Sequence, residues 1–124
     1  MKLQEERERR FEAFRHWLRA NTQLGERPRG DAVSRAKRVE LALRDMLGGI
    51  DLDEEYVRDR LARVLETLEY SVEDAHNHRP PPAGIVFRIG TDDPCYYEKI
   101  REGLRSLRNA VGLYRDFCDD VNPR

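Results

Sequence analysis

Lysine is nearly missing from this 124-residue chain: Lys2, Lys37 and Lys99 stand against twenty arginines. Cysteine is almost as scarce, with only Cys95 and Cys118, and so is histidine, with His16, His76 and His78. Two cysteines and three scattered histidines do not make the Cys/His set of a structural zinc site, so no metal or other cofactor is expected. Both cysteines fall on one expected helix, 23 positions apart, or roughly 35 Å at the helical rise. A disulfide between them is therefore excluded while that helix is intact, and two buried free thiols in a reducing compartment are expected. No apolar run approaches the about 18 residues of a membrane span. Met1–Arg10 is charged and has no signal-peptide apolar region. These absences point to a cytoplasmic protein that makes no membrane contact.

What is present is charge and helical periodicity. Charged residues make up 38% of the chain and apolar residues 39%, with a net charge of −1. With that much charge the apolar residues must be gathered on faces, and at this length one domain can bury a core without disulfides or metal. The near-neutral total hides a gradient. Residues 1–50 carry net +4, residues 51–100 net −6 and residues 101–124 net +1. This is either ordinary solvated helix faces or a basic surface for a polyanion backed by an acidic far side. The arginine bias likewise follows either from a GC-rich coding sequence or from selection for forked contacts to phosphate or carboxylate.

Periodicity predicts one all-α domain over 1–124, a bundle of four to five helices. The first runs from about Leu3 to Asn21 on Phe11, Phe14 and Leu18, and residues 1–10 are free to fray. Gly25, Pro28 and Gly30 mark a loop over Gln23–Gly30 that carries Arg27 and Arg29. Asp31 caps a second helix to about Leu47, with Val33, Ala36, Val39, Leu43 and Met46 or Leu47 inward and Gly48-Gly49 ending it. A third runs from Asp51 or Asp53 to near Tyr70 on Val57, Leu61, Val64, Leu65 and Leu68. Ser71 and Asp74 form a capping box for a short fourth helix, stopped by Pro80-Pro81-Pro82. The Pro-rich loop 79–92 holds the one β-like run, Ile85-Val86-Phe87, expected as an extended segment packed on the bundle.

Asp92 or Asp93, with Pro94 at the first helical position, opens a long last helix to about Cys118. Tyr97, Ile100, Leu104, Leu107, Val111, Tyr114 and Cys118 step by alternating threes and fours. That heptad seam suits either a central core helix or a dimer seam, and its late widening by Ala110, Leu113 and Phe117 favours the core. Monomer and homodimer both remain open. Gly103 and Gly112 either leave room for close approach by another helix or a ligand backbone or are simply tolerated, at about 1 kcal/mol each against alanine.

Catalytic signatures are lacking. There is no phosphate-binding glycine loop, nucleophile elbow or zinc-protease helix motif, so no enzymatic activity is expected. His76-Asn77-His78 spells the name of a nuclease class, yet that class separates its histidines across a hairpin and helix, and here the string precedes three prolines. Asp51/Asp53 and Asp92/Asp93 fall where helix caps are needed. Asp119/Asp120 sit at a helix C-terminus, against the dipole, with no role beyond solubility. The basic residues are the candidate site. Arg35, Lys37 and Arg38 crowd one turn of the second helix, and Arg101, Arg105, Arg108 and Arg115 form a row beside the seam that can either follow phosphates or pair with Glu98 and Glu102.

Phe14-Arg15-His16-Trp17-Leu18, Ser34-Arg35-x-x-Arg38-Val39-Glu40 and Leu104-x-x-Leu-Arg-Asn-Ala-Val-x-x-Tyr-x-x-Phe117 together resemble the helical, SAM-like core-binding module of tyrosine recombinases. The chain is also similar to helical N-terminal modules of restriction and phage-defence proteins. The resemblance implies a module that clamps DNA without cutting it. The Pro-rich loop and the acidic third helix depart from that pattern. The expected function is binding of double-stranded DNA through phosphate contacts by Arg35, Lys37, Arg38, Arg101, Arg105 and Arg108. The alternative is a protein-interaction module, such as a small regulator or inhibitor in a phage or bacterial defence system.

Overall fold

The structure, a computed structural model, describes residues 2–44, 51–82 and 84–121. Six helical segments follow in order: α1 (Lys2–Asn21), α2 (Glu26–Leu43), α3 (Leu52–Asp59), α4 (Ala62–Thr67), α5 (Val72–His76) and α6 (Tyr96–Val121). No strand occurs among the described residues, and the fold is an all-α bundle with a long C-terminal helix. No described helix is long and apolar enough to cross a membrane.

The bundle is organised by α6, which packs on each of the other five helices. From Ile100 to Cys118 the residues of its seam are buried, together with Ala110 and Phe117 of the widened stripe. The seam is thus core. Phe11, Phe14 and Leu18 of α1 close over it. The Phe14 ring meets Tyr114 edge-on at 5.0 Å between centroids, a favoured quadrupolar arrangement. From the other side α2 packs through Ala32, Val33, Ala36, Val39 and Leu43.

Four boundaries differ from expectation. The second helix begins at Glu26 with Gly25 as N-cap, so Arg27 and Arg29 lie in α2 and Asp31 is interior. Pro28 falls in the first helical turn, where its missing N–H would have had no intrahelical partner. Arg29 donates back to the Leu24 carbonyl at 2.7 Å. The expected end at Gly48-Gly49, with Met46 and Leu47, lies outside the described residues.

The expected third helix is broken in two. Arg60 (φ 57°) and Leu61 (φ 67°) are both left-handed, at roughly 1–2 kcal/mol each for non-glycine residues. Both long-range and local side-chain bonds hold the break. Arg60 and the Tyr56 hydroxyl both donate to Asp119 at the end of α6. Arg63 of α4 pairs with buried Glu55 of α3, and Asp59 accepts the Arg63 amide at 3.1 Å. The swivel turns Leu61 fully into the core and leaves Val57, expected inward, 71% exposed.

Ser71 and Asp74 form the expected reciprocal capping box of α5. The segment after the prolines lies over α2 and α6 as a strap. Gly84 (φ +89°) comes so near α2 that a Cβ there would stand 2.7 Å from the Ala42 carbonyl oxygen. Ile85 is buried, Val86 points out at 75% exposure, and the Phe87 ring fills the notch left by Gly103. The last helix starts at Tyr96, two residues after Pro94, because Asp93 accepts the Cys95 amide at 2.8 Å and binds Lys99. Cys95, expected to be buried, is therefore exposed in the preceding turn, whereas Cys118 is buried.

Residues 2–10 are helical, and their anchor is electrostatic. Arg10, with its side chain only 11% exposed, reaches Glu40 at 2.7 Å and Asp51 at 2.6 Å. Arg7 also binds Glu40 at 2.7 Å. Glu40, 5% exposed, accepts the Leu52 amide at 2.9 Å as well. One buried carboxylate thus joins α1, α2 and the first turn of α3.

Candidate functional site

Two constellations gather titratable groups. The first is the interior network around Arg10. The Tyr114 hydroxyl donates to Asp53 at 2.6 Å, the Cys118 sulfur stands 3.8 Å from the same oxygen, and Arg10 Nε lies 3.7 Å from the other one. Burial raises the Asp53 carboxyl above its ordinary value. Burial also raises the Tyr114 hydroxyl, and it pushes the Cys118 thiol up to about 12. A thiol held neutral in this way is a weak nucleophile and a poor metal ligand. The network binds helices together.

The second is an open cleft of about 560 Å³ between α6 and the α4–α5 segment, lined by Arg79, Arg101, Arg105 and Arg108 with Glu69, Asp74 and Ser71. Its far wall is set by the capping box. Asp74 accepts the Ser71 amide at 2.8 Å and Arg79 at 3.1 Å, and the Ser71 amide bond first, then Arg79, holds its carboxyl below the usual range. Arg101 pairs with Glu98 at 3.1 Å. Arg105 and Arg108 form no ion pair among the described residues. An adjoining groove of about 640 Å³ continues along α6, lined by Leu65, Glu69, Arg108, Asn109, Gly112, Leu113, Arg115 and Asp116.

The structure brings Arg101, Arg105 and Arg108 together and leaves the second-helix cations elsewhere. Lys37 lies 3.4 Å from Glu8 and over the Phe11 ring. Arg38 donates to the Val86 carbonyl and stacks over Phe87 at 5.0 Å, clamping the strap. Arg35 is exposed. Phe87 rests on Gly103, two residues from both Arg101 and Arg105, which leave α6 about 160° around its axis from that notch. The α2 cluster and the α6 row thus occupy different flanks.

Three participants escaped the sequence reading. Arg79 joins the arginine row through the Ser71–Asp74 box, whose spacing reveals the cap but not which cation it holds. Asp119 and Asp120 gain roles at a helix end where their charge opposes the dipole. Asp119 receives Tyr56 and Arg60, and Asp120 accepts the Trp17 indole N–H at 2.7 Å. In the His-Asn-His string, His78 is stacked flat on Tyr97 at 4.4 Å while His76 is exposed. No group of three or more His, Cys, Asp or Glu placed to hold a metal occurs among the described residues.

Comparison with protein-family models, with curated proteins and with solved structures finds no significant match to this chain.

Proposed function

We propose that the protein is a non-enzymatic helical module that binds double-stranded DNA mainly through its phosphates, with the arginine cleft of α6 as its contact face. The observation that carries this reading is the convergence of Arg79, Arg101, Arg105 and Arg108 on one open cleft, with Arg105 and Arg108 free of ion pairs among the described residues. Guanidinium forks match phosphate oxygens in pairs. The steps from Arg101 to Arg105 and from Arg105 to Arg108 are about 6 Å and 4.5 Å along the helix, a row able to follow a strand. The resemblance to recombinase core-binding modules supports the same reading, and the free thiols suit a cytoplasmic site of action.

Titration of a fluorescent duplex at two salt concentrations tests it. Binding at low salt should weaken on a log–log slope of about −0.9 per phosphate neutralised. No binding at low salt, or binding indifferent to salt, overturns the proposal.

A second reading, a protein-interaction module such as a small regulator in a phage or bacterial defence system, is favoured by Glu69 and Asp74 among the arginines and by exposed Val72 at the rim. Carboxylates repel phosphate but suit a mixed-charge protein surface. Capture of partners before and after nuclease treatment separates the two, since capture through DNA disappears with the DNA.

A further inference from the structure

Gly112 lies in the middle of the 26-residue α6, where glycine costs about 1 kcal/mol relative to alanine. Gly103 on the same helix is explained from within, because Phe87 occupies the place of its side chain. Gly112 has no such explanation: a Cβ there would meet nothing within 4 Å. It lies instead on the floor of the open groove, with partly buried Leu65 and Leu113 beside it.

The charges around Gly112 have an order. Arg108 precedes it by four residues and Asp116 follows it by four, so the three form one i, i+4, i+8 ridge. Arg105 precedes it by seven and Asp119 follows by seven, on the same flank. Arg105 and Arg108 thus precede the glycine and Asp116 and Asp119 follow it, while Arg115 and Glu69 line the same groove and Asp119 is already held by Arg60 and Tyr56. Arg108 and Asp116 form no ion pair among the described residues.

A surface of this kind is complementary to itself when turned end for end. If a second α6 crosses antiparallel at Gly112, position 112 + k of one copy faces 112 − k of the other. Each Arg108 then meets Asp116 of the second copy, and each Arg105 comes near Asp119 of the second copy. The parallel arrangement sets like charges against like. A uniformly acidic ligand is repelled by Asp116, which forms no ion pair among the described residues, and a uniformly basic one by the arginines. Glycine at the crossing lets the two backbones approach at the short end of the helix-packing range, about 8 Å, with the leucines of each copy beside the contact.

We propose that the α6 flank centred on Gly112 is a homodimer interface, in which two copies cross antiparallel on a two-fold axis and exchange Arg108–Asp116 pairs. The interface is isologous, so it closes at two copies. It does not rest on the DNA-binding reading, but DNA and the second copy would compete for Arg105 and Arg108, and it is therefore tested on protein freed of nucleic acid.

Sedimentation over a concentration series reads the dimer directly. The natural sequence should show a monomer–dimer equilibrium that weakens with salt. Asp116→Arg and Arg108→Asp each place like charges at both symmetric contacts, and each should raise the dimer dissociation constant at least about tenfold. The double swap Arg108→Asp/Asp116→Arg should restore it. Gly112→Leu, at an open position with circular dichroism confirming the fold, should separate the copies as well. A monomer at the highest concentration overturns the proposal, as does a dimer indifferent to the single swaps and to Gly112→Leu. A double swap that does not recover association also overturns it.

Discussion

Arg10 and Glu40 show how single residues hold this fold. Each is charged and nearly buried, and each satisfies several partners from other elements. Glu40→Ala leaves Arg10 with Asp51 as its close partner, deprives Arg7 of its carboxylate and removes the acceptor of the buried Leu52 amide. A loss of about 1–3 kcal/mol is expected, measured as a lower urea midpoint with little change in slope.

Asp119 carries an acid-sensitive part of stability. Hydrogen bonds from Arg60, then Tyr56, hold its carboxyl below the ordinary value, so the folded protein takes up that proton less readily than the unfolded chain. The contribution is complete above about pH 4, the unfolded value, and is lost as pH falls through the folded value. Asp119→Asn should therefore melt lower at pH 7 and lose less on acidification. Asp53 has the opposite sign. Its carboxyl is raised by burial, so protonation favours the folded state as pH falls through the folded value, and Asp53→Asn should steepen the acid loss. Thermal melts from pH 7 to pH 2 read both, and parallel curves for the two variants would contradict the assignments.

Among the elements, α5 and α6 were legible in advance. A capping box and a seam of alternating threes and fours are local patterns, complete within a few turns of chain. The start of α2 was not, because Pro28 and Gly30 read as breakers unless the helix is known to begin before them. The α3–α4 break was not legible either. Leu61, Val64 and Leu68 keep helical spacing across it, and what bends the chain is Asp119, some sixty residues away. Glycines make the same point within single elements. In the monomer Gly112→Ala should raise stability by about 1 kcal/mol, because no atom of the chain itself lies within 4 Å of a Cβ there. Gly103→Ala should lower it by displacing Phe87, with a Cβ only 2.3 Å from the ring. Gly84→Ala should be worse than a loop substitution elsewhere, by about 1–3 kcal/mol, since it meets both a positive φ and the Ala42 carbonyl. Chemical denaturation of the three variants ranks them, and a stabilising Gly84→Ala would refute the strap geometry.

For the whole molecule, the two arginine groups divide the DNA-binding reading into parts. Arg105→Ala and Arg108→Ala should each weaken binding for all sequences and reduce the salt slope by about one. Arg35→Ala and Lys37→Ala, on another flank, should leave the slope unchanged. Arg38→Ala should act on stability through Phe87 rather than on DNA. Equal effects from both groups would mean that the ligand wraps the bundle.

Read alone, the amino-acid sequence determined the all-α class, the buried face of α6 and the short α5, because periodicity and caps depend on neighbours three or four positions apart. It also showed which cations existed and how they were spaced along each helix. Only the tertiary structure decided which of them share a surface. That depends on how helices far apart in sequence are rotated against one another, and here the rotation is set by Glu40, Asp119 and the Phe87–Gly103 contact, with Glu40 pairing across 12 to 33 positions and Asp119 across 59 to 63. The same packing separated Arg38 from Arg101, brought Arg79 to the arginine row, and left Gly112 open between Arg108 and Asp116.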